Sequence, residues 1–375
     1  MTLPYGRQSV SEDDVAAVAG VLRSDWLTTG PAVGAFEAAV ADTAGAAHAI
    51  AVTSGTAALH TAYAAAGVGP GTDVVTSPMT FVATAATAIM LGSAVTFADV
   101  EPDTGNLDLD AAAAAIGPRT RAVAPVDYAG MPADPPGFAD LARARGVRYV
   151  ADAAHSIGSR WEGRPVGSFA DLTTFSFFPT KNMTTAEGGA VVTGDAGLAE
   201  RARRFHNHGL VRDRAAMRHP DEGPWHQEVH SFGLNYRLPD VLAALGTSQI
   251  GRLADFSRRR SRIHARYDAG LADVDGVLTP AHRPQAEPTW HLYPLRVLGG
   301  RRREVYDALR GAGIGVQVNY LPAYWHPAFE DLGYRRGMCP NAEQFYAQEL
   351  SLPLYPDLHD DDVDRVIDVI RRALT

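Results

Sequence analysis

Short apolar runs rich in β-branched residues alternate with alanine-rich stretches over the first half of the chain. This alternation limits the available folds more than any other feature. The runs fall near Ala49–Thr53, Asp73–Ser77, Ala94–Ala98, Arg121–Val126, Val147–Ala151, Thr173–Phe177 and Ala190–Thr193. Between them, Ala57–Ala66, Ala83–Leu91, Leu109–Ala115 and Phe138–Arg145 carry helical patterns. Strands separated by helices predict a mainly parallel sheet of about seven strands, covered on both faces. Ligands of such a sheet gather at the carboxyl ends of its strands.

The remainder reads differently. A helical stretch runs from Leu238 to about Ala272, followed by a proline-rich loop, Thr279–Pro288. Then come a strand (His291–Val297), a helix (Arg301–Ala312), a strand (Gly315–Tyr320) and two further helices. The last helix opens on Asp360–Asp362 and closes on Arg371 and Arg372, charges that suit its two ends. The pattern divides the chain into a large α/β domain, residues 1–250 with the N-terminal segment, and a smaller α+β domain, residues 251–375.

With 375 residues, 46% of them hydrophobic, the chain can bury one large core and a smaller second one. Its net charge of −9 argues against nucleic acid or an anionic membrane as the main partner. The one basic cluster, Arg258–Arg262, lies in a polar helical stretch and reads as a solvated face. Cys339 is the only cysteine, which excludes a disulfide framework and a cysteine-based zinc knuckle; no metal site is expected. No signal pattern or membrane-length apolar run is read, so the expected location is the cytoplasm.

Three motifs follow three of the strands. Ser54-Gly55-Thr56 opens a helix, where free N–H groups and a hydroxyl make an anion site, although the same residues also serve as an ordinary cap. ADAAHSIG brings Asp152 and His155, and an Asp leaving a buried strand is often only a satisfied cap. SFFPTKNMTTAEGG brings Ser176, Lys181 and Glu187. Lys181 is the only lysine among 34 lysines and arginines. It is either a solvated loop residue in an arginine-biased chain or an amine doing what a guanidinium cannot, namely losing its proton and forming an imine. Together the motifs supply a phosphate cradle, a carboxylate and an amine at one sheet edge. Pyridoxal phosphate (PLP) needs those parts. Phe81, after the second strand, could stack on its ring or simply fill the core.

With these motifs in order, the sequence resembles the DegT/DnrJ/StrS family of sugar aminotransferases, which have the fold-type I PLP architecture. The likeness spans nearly the whole chain. It runs from PYGRQSVSEDDV through SDWLTTGP, SGTAALH, TFVATA, DVEPDTGNLD, PVDYAG and DAAHSIG. It continues through SFFPTKNMTTAEGG, LNYRLPDVLAALG and GIGVQVNYLP to SLPLYPDL. The resemblance implies that Lys181 is the Schiff-base lysine and Asp152 the partner of the pyridinium nitrogen. It places His155 beside the phenolic oxygen, and Ser54, Gly55, Thr56 and Ser176 on the phosphate. It also implies a homodimer with shared sites, in which Asn235 reaches the neighbouring subunit's phosphate. A nucleotide sugar would lie between subunits near Trp26, Thr28, Tyr128, Glu187 and Tyr320, with Arg7, Arg212 and Arg237 near its diphosphate and Trp225 near its sugar.

The implied reaction moves an amino group from L-glutamate to the 4-keto carbon of a nucleotide-linked 6-deoxyhexose. SDWLTTGP, PVDYAG, TTAEGGAVVT and CPNAE…LSLPLYP are most similar to the UDP-4-amino-4,6-dideoxy-N-acetyl-β-L-altrosamine transaminase branch of the family. The acceptor expected is therefore a UDP-2-acetamido-2,6-dideoxy-hexos-4-ulose, the alternatives being a dTDP-4-keto-6-deoxyhexose or a keto-cyclitol. Asn319, where the family pattern has histidine, and the segment Ala323–Phe329 depart from that branch. Relatives that remove a sugar hydroxyl replace the lysine by histidine, and a non-catalytic sensor on this fold would dispense with Lys181 or Asp152; both residues are present.

Overall fold

A computed structural model describes residues 2–375. Seven strands form the central sheet: β1 (His48–Val52), β2 (Asp73–Thr76), β3 (Ala94–Phe97), β4 (Thr120–Ala124), β5 (Arg148–Asp152), β6 (Leu172–Ser176) and β7 (Gly189–Thr193). Their order across the sheet is β1-β7-β6-β5-β4-β2-β3, and only β7 runs against the others. All seven lie within one or two residues of their expected positions. The fold is the expected mainly parallel, seven-stranded α/β architecture.

The reversed β7 matters for the site. Because it is antiparallel, its first residue lies beside the last residues of its neighbours: Gly189 pairs with Val52 on one side and Ser176 on the other. The Glu187–Gly188 turn is thereby delivered to the edge where β1, β5 and β6 end. Gly189 is required there. A Cβ on it would come within 2.4 Å of the Ser54 carbonyl oxygen and 2.8 Å of that of Phe175.

The helix Gly55–Ala66 leaves β1 and is buried along most of its length, with Ala57, Ala58, Ala62, Ala65 and Ala66 facing the interior. Alanine carries no side-chain entropy cost in a helix and lets it approach the sheet closely. Its first turn is thus held rigidly at the sheet edge.

A second core gathers around a three-stranded antiparallel sheet, in the order Val277–Leu278, Tyr293–Val297, Glu349–Leu352. The helices Leu253–Leu271, Arg302–Gly311 and Asp360–Leu374 cover it. The last buries Val363, Val366, Ile367 and Ile370, the spacing of one helical stripe. Leu3 and Met131 also pack into this core.

Two expectations are corrected. Gly315–Tyr320 is not a regular strand: Gly315 donates to Leu3 on one side, while Gln317 pairs with Ser351 on the other, so neither ladder continues. The third strand is Glu349–Leu352 instead. The helical stretch from Leu238 is broken at Arg252, between Asp240–Gly251 and Leu253–Leu271. There the Arg252 guanidinium turns to the buried Asp14 carboxylate at 2.9 Å and lies over the Phe256 ring.

Candidate active site

The carboxyl ends of the strands open into a cavity of about 530 Å³. Ser54, Gly55, Thr56, Phe81, Asp152, His155, Ser176, Lys181, Glu187 and Tyr320 line it, so elements distant in sequence are brought together. The volume lies in the range of small-molecule and cofactor sites.

Three features show how the local sequence builds the anion end. Ser54 caps the helix, its side chain accepting from the Ala57 N–H at 3.1 Å, which leaves the earlier amides of that turn for a ligand. Ser176, at the end of β6, packs against Gly55 so closely that a Cβ there would meet its Cβ at 2.7 Å and its Oγ at 2.9 Å. Thr56 follows on the exposed side of the same turn. Hydroxyls and amides therefore converge at one helix N-terminus.

Asp152, the last residue of β5, is buried. Its Oδ2 accepts from the Thr84 hydroxyl at 2.6 Å and its Oδ1 from the Ala154 N–H at 3.2 Å. Burial raises its pKa, while those two donors and the Lys181 charge pull it down. A cation placed against this carboxylate would complete its compensation.

Burial also lowers the Lys181 pKa from 10.5 to about 8, against the attraction of Asp152. The amine is therefore part-deprotonated near neutrality, as a nucleophile or proton carrier requires. His155 is buried, its Nε2 lying 3.1 Å from the Tyr320 hydroxyl, and its Nδ1 has no protein partner. Burial first and then the Lys181 charge keep this imidazole neutral.

The titration of Lys181 can be measured directly because the chain has no other lysine. Reductive methylation with ¹³C-formaldehyde of the cofactor-free protein should give one lysine NMR signal beside that of the N-terminal amine. Its midpoint should lie near pH 8, and lower still in Asp152→Asn, which removes the anion favouring the protonated amine. A midpoint near 10.5 in the parent protein would mean that the amine is not desolvated.

Several residues at the site were not apparent from the sequence. Thr84 sits one turn after Phe81, so its hydroxyl reaches Asp152 from the same helix start. His291 packs on His155 with ring centroids 4.3 Å apart. Tyr5 and Gln317 line the cavity beside Asn319. Asn319 is clamped through its side-chain NH₂ to the Tyr5 hydroxyl (2.7 Å) and the Ser351 hydroxyl (3.1 Å). Its backbone N–H donates to the buried Glu349 at 2.7 Å. Burial raises the Glu349 pKa to about 8.

Other expectations change. The Arg258–Arg262 cluster is not a solvated face throughout, because Arg260 is only 1% exposed. Its guanidinium donates to the Leu354 carbonyl at 2.9 Å and to the Lys181 carbonyl at 3.3 Å, bracing the lysine loop from behind. Tyr128 is fully buried and lies outside the cavity, its hydroxyl donating to the Asn319 carbonyl. It supports Asn319 and has no surface to offer a substrate. Trp26, Thr28 and Asn235 are exposed and do not line the cavity, nor does Trp225. Among the described residues no arginine lines it, so Arg7, Arg212 and Arg237 all lie outside its wall.

A hydroxyl-and-amide turn, a buried carboxylate and a deprotonatable lysine on this sheet edge are the parts that PLP requires. Residues 8–371 match the model of the DegT/DnrJ/EryC1/StrS aminotransferase family, and the chain belongs to that family. It is 40% identical to the spore coat polysaccharide biosynthesis protein SpsC of Bacillus subtilis, over 98% of this chain and 96% of that one. Among solved structures, it is similar to Helicobacter pylori PseC, an aminotransferase involved in the biosynthesis of pseudoaminic acid. That match has a TM-score of 0.92 and 30% identity, over 100% of this chain and 99% of PseC. The PLP form of the putative sugar aminotransferase Spr1654 from Streptococcus pneumoniae superposes with a TM-score of 0.92 and 29% identity, over 100% of both chains. PLP is the cofactor.

Proposed function

We propose that this protein transfers an amino group from L-glutamate to the 4-keto carbon of a nucleotide-linked 6-deoxyhexose. The observation that carries the reading is the convergence of Lys181, Asp152 and the Ser54–Thr56/Ser176 cradle on one cavity. Similarity to PseC and SpsC supports a sugar acceptor. Bound PLP supplies the aldehyde that takes up and returns the amino group and a ring that accepts the electron pair of the broken C–H bond.

The chain's own residues do the rest. The Ser54–Thr56 turn and Ser176 hold the phosphate and so fix the cofactor's position. Asp152, whose carboxylate accepts from Thr84 and the Ala154 N–H, would stabilise a protonated pyridine nitrogen. Lys181 Nζ would hold the cofactor and, once released from it, would be the atom that carries the proton during the transfer. His155, neutral and fixed by Tyr320, serves the phenolic side.

We propose a homodimer in which Asn235 serves the partner subunit's phosphate. Asn235 lies next to the β1 end, where the Tyr236 carbonyl accepts from Thr53 N–H at 2.9 Å, yet it is exposed. The neighbouring Phe232, 97% exposed, and Trp225, 80% exposed, are costly to leave in water and suit burial against a second copy. Mixing a Lys181→Ala chain with an Asn235→Ala chain tests this. If sites are shared, heterodimers hold one intact and one doubly damaged site, and activity rises above either parent. No recovery in mixtures shown to exchange subunits would place Asn235 in its own chain's site.

For the acceptor we favour a UDP-2-acetamido-2,6-dideoxy-hexos-4-ulose, the substrate class of the altrosamine transaminase branch that the motifs resemble. A second reading, a dTDP-4-keto-6-deoxyhexose or a keto-cyclitol, is favoured by the inaccessibility of Tyr128, which removes one apolar contact for an acetamido group. The ratio of kcat/KM for the UDP-acetamido ketosugar over dTDP-4-keto-6-deoxyglucose separates them. A site that hydrogen-bonds the acetamido group should give a ratio on the order of 10² or more, because its absence leaves buried polar groups unpaired. A ratio near one, or below it, would select the second reading.

A further inference from the structure

Away from the cavity, the helix Leu253–Leu271 and the proline-rich loop after it place three metal-type donors together. His264 and Asp268 lie one turn apart on the helix, and His282 reaches back from the loop. Their ligand atoms all lie within 4.8 Å of one another. We propose that His264, Asp268 and His282 form a binding site for a divalent transition metal, with zinc the best match to two imidazoles and one carboxylate.

The geometry carries the assignment. Asp268 Oδ2 lies 3.2 Å from His264 Nδ1 and 3.0 Å from His282 Nε2. Tetrahedral zinc with its usual bond lengths separates neighbouring ligand atoms by about 3.4 Å. The two imidazole centroids are 5.3 Å apart with planes at 88°, which lets both rings point a nitrogen at one ion. His264 presents Nδ1 to Asp268, while its Nε2 is buried without a partner, so Nδ1 is the nitrogen placed to ligate.

The surroundings hold these donors in place. Tyr293 donates its hydroxyl to the other Asp268 oxygen at 2.8 Å, the outer contact that orients a one-oxygen carboxylate ligand. Trp290 stacks on His264 at 3.8 Å and meets His282 edge-on at 5.4 Å. His282 is half in solvent, leaving a fourth position for water. The metal would tie the loop to the helix just ahead of His291, which packs on His155, so it would steady one wall of the cavity. In its absence Asp268 Oδ2 lies within hydrogen-bond reach of both imidazoles.

The test is to titrate Zn²⁺ into the PLP-loaded enzyme in competition with a chromophoric chelator, and to record Co²⁺ d–d bands at wavelengths beyond the cofactor's absorption. One equivalent per chain should bind, with cobalt bands of tetrahedral intensity. His282→Ala, an exposed change that spares the fold, and Asp268→Asn should each remove that equivalent. Tyr293→Phe should weaken it about 10- to 100-fold. His230→Ala should leave it unchanged, since that residue belongs to a separate His226–Glu228–His230 cluster. No stoichiometric binding, binding that survives both ligand variants, or loss in His230→Ala would overturn the proposal.

Discussion

Replacing Lys181 with alanine is expected to lower transamination by at least about 10⁴-fold and to abolish the visible absorbance of lysine-linked PLP. No other lysine exists to stand in for it. Arginine at the same position should be equally inactive. It keeps the positive charge beside Asp152, but a guanidinium neither bonds to the aldehyde carbon nor gives up its proton near neutrality. The pair therefore separates charge from nucleophilicity. If the charge alone mattered, Lys181→Arg would retain much of the rate; if the amine matters, both variants fail alike. The fold should survive in each, because Lys181 lies at the cavity wall and the loop behind it is held by Arg260 and by the Lys181 N–H to Phe178 carbonyl bond. Substantial turnover in either folded variant would remove Lys181 from the mechanism.

The sheet was legible because each strand is a short run rich in apolar and β-branched residues bounded by helical stretches, a pattern that few other folds can satisfy. Segments whose partners are distant in sequence were not. Glu349–Leu352 is a strand because Tyr293–Val297 and Gln317 lie beside it, and nothing within the four residues announces this. Gly315–Tyr320 looks extended and apolar, yet its pairing is split between the N-terminal Leu3 and Ser351. Sequence can show that a segment prefers extension without showing whether an edge is available.

The site divides in the same way. Residues that must have a particular chemistry stood out: one lysine, an Asp leaving a strand, and a Ser-Gly-Thr turn opening a helix. Residues that act by holding others did not. Arg260 looked solvated because three neighbouring arginines share its stretch, but helical periodicity turns one of them inward under the lysine loop. Tyr128 sits in a motif beside the site, and adjacency in sequence does not fix which way a ring points. The Tyr128–Gly130 turn has Ala129 at φ 59°, and the tyrosine ring is directed into the core beneath Asn319.

Asp152→Asn should leave a folded protein that still binds PLP but loses roughly 10²- to 10⁴-fold in rate. The amide matches the carboxylate in size; its oxygen can accept from the Ala154 N–H, while its NH₂ faces the Thr84 hydroxyl, which can rotate to accept, so the local packing should hold. What it lacks is charge. A neutral amide in a buried position cannot hold a proton on the pyridine nitrogen, and an unprotonated ring is a poor acceptor for the electron pair of the breaking C–H bond. The loss should appear in the single-turnover rate with L-glutamate, while the melting temperature of the loaded enzyme stays close to that of the parent. A compensating change in the apoprotein follows from the same charge: without the anion, Lys181 should deprotonate at lower pH than about 8. A parent-like single-turnover rate in a variant whose lysine titration has shifted would show that the carboxylate tunes the amine but does not act on the cofactor ring.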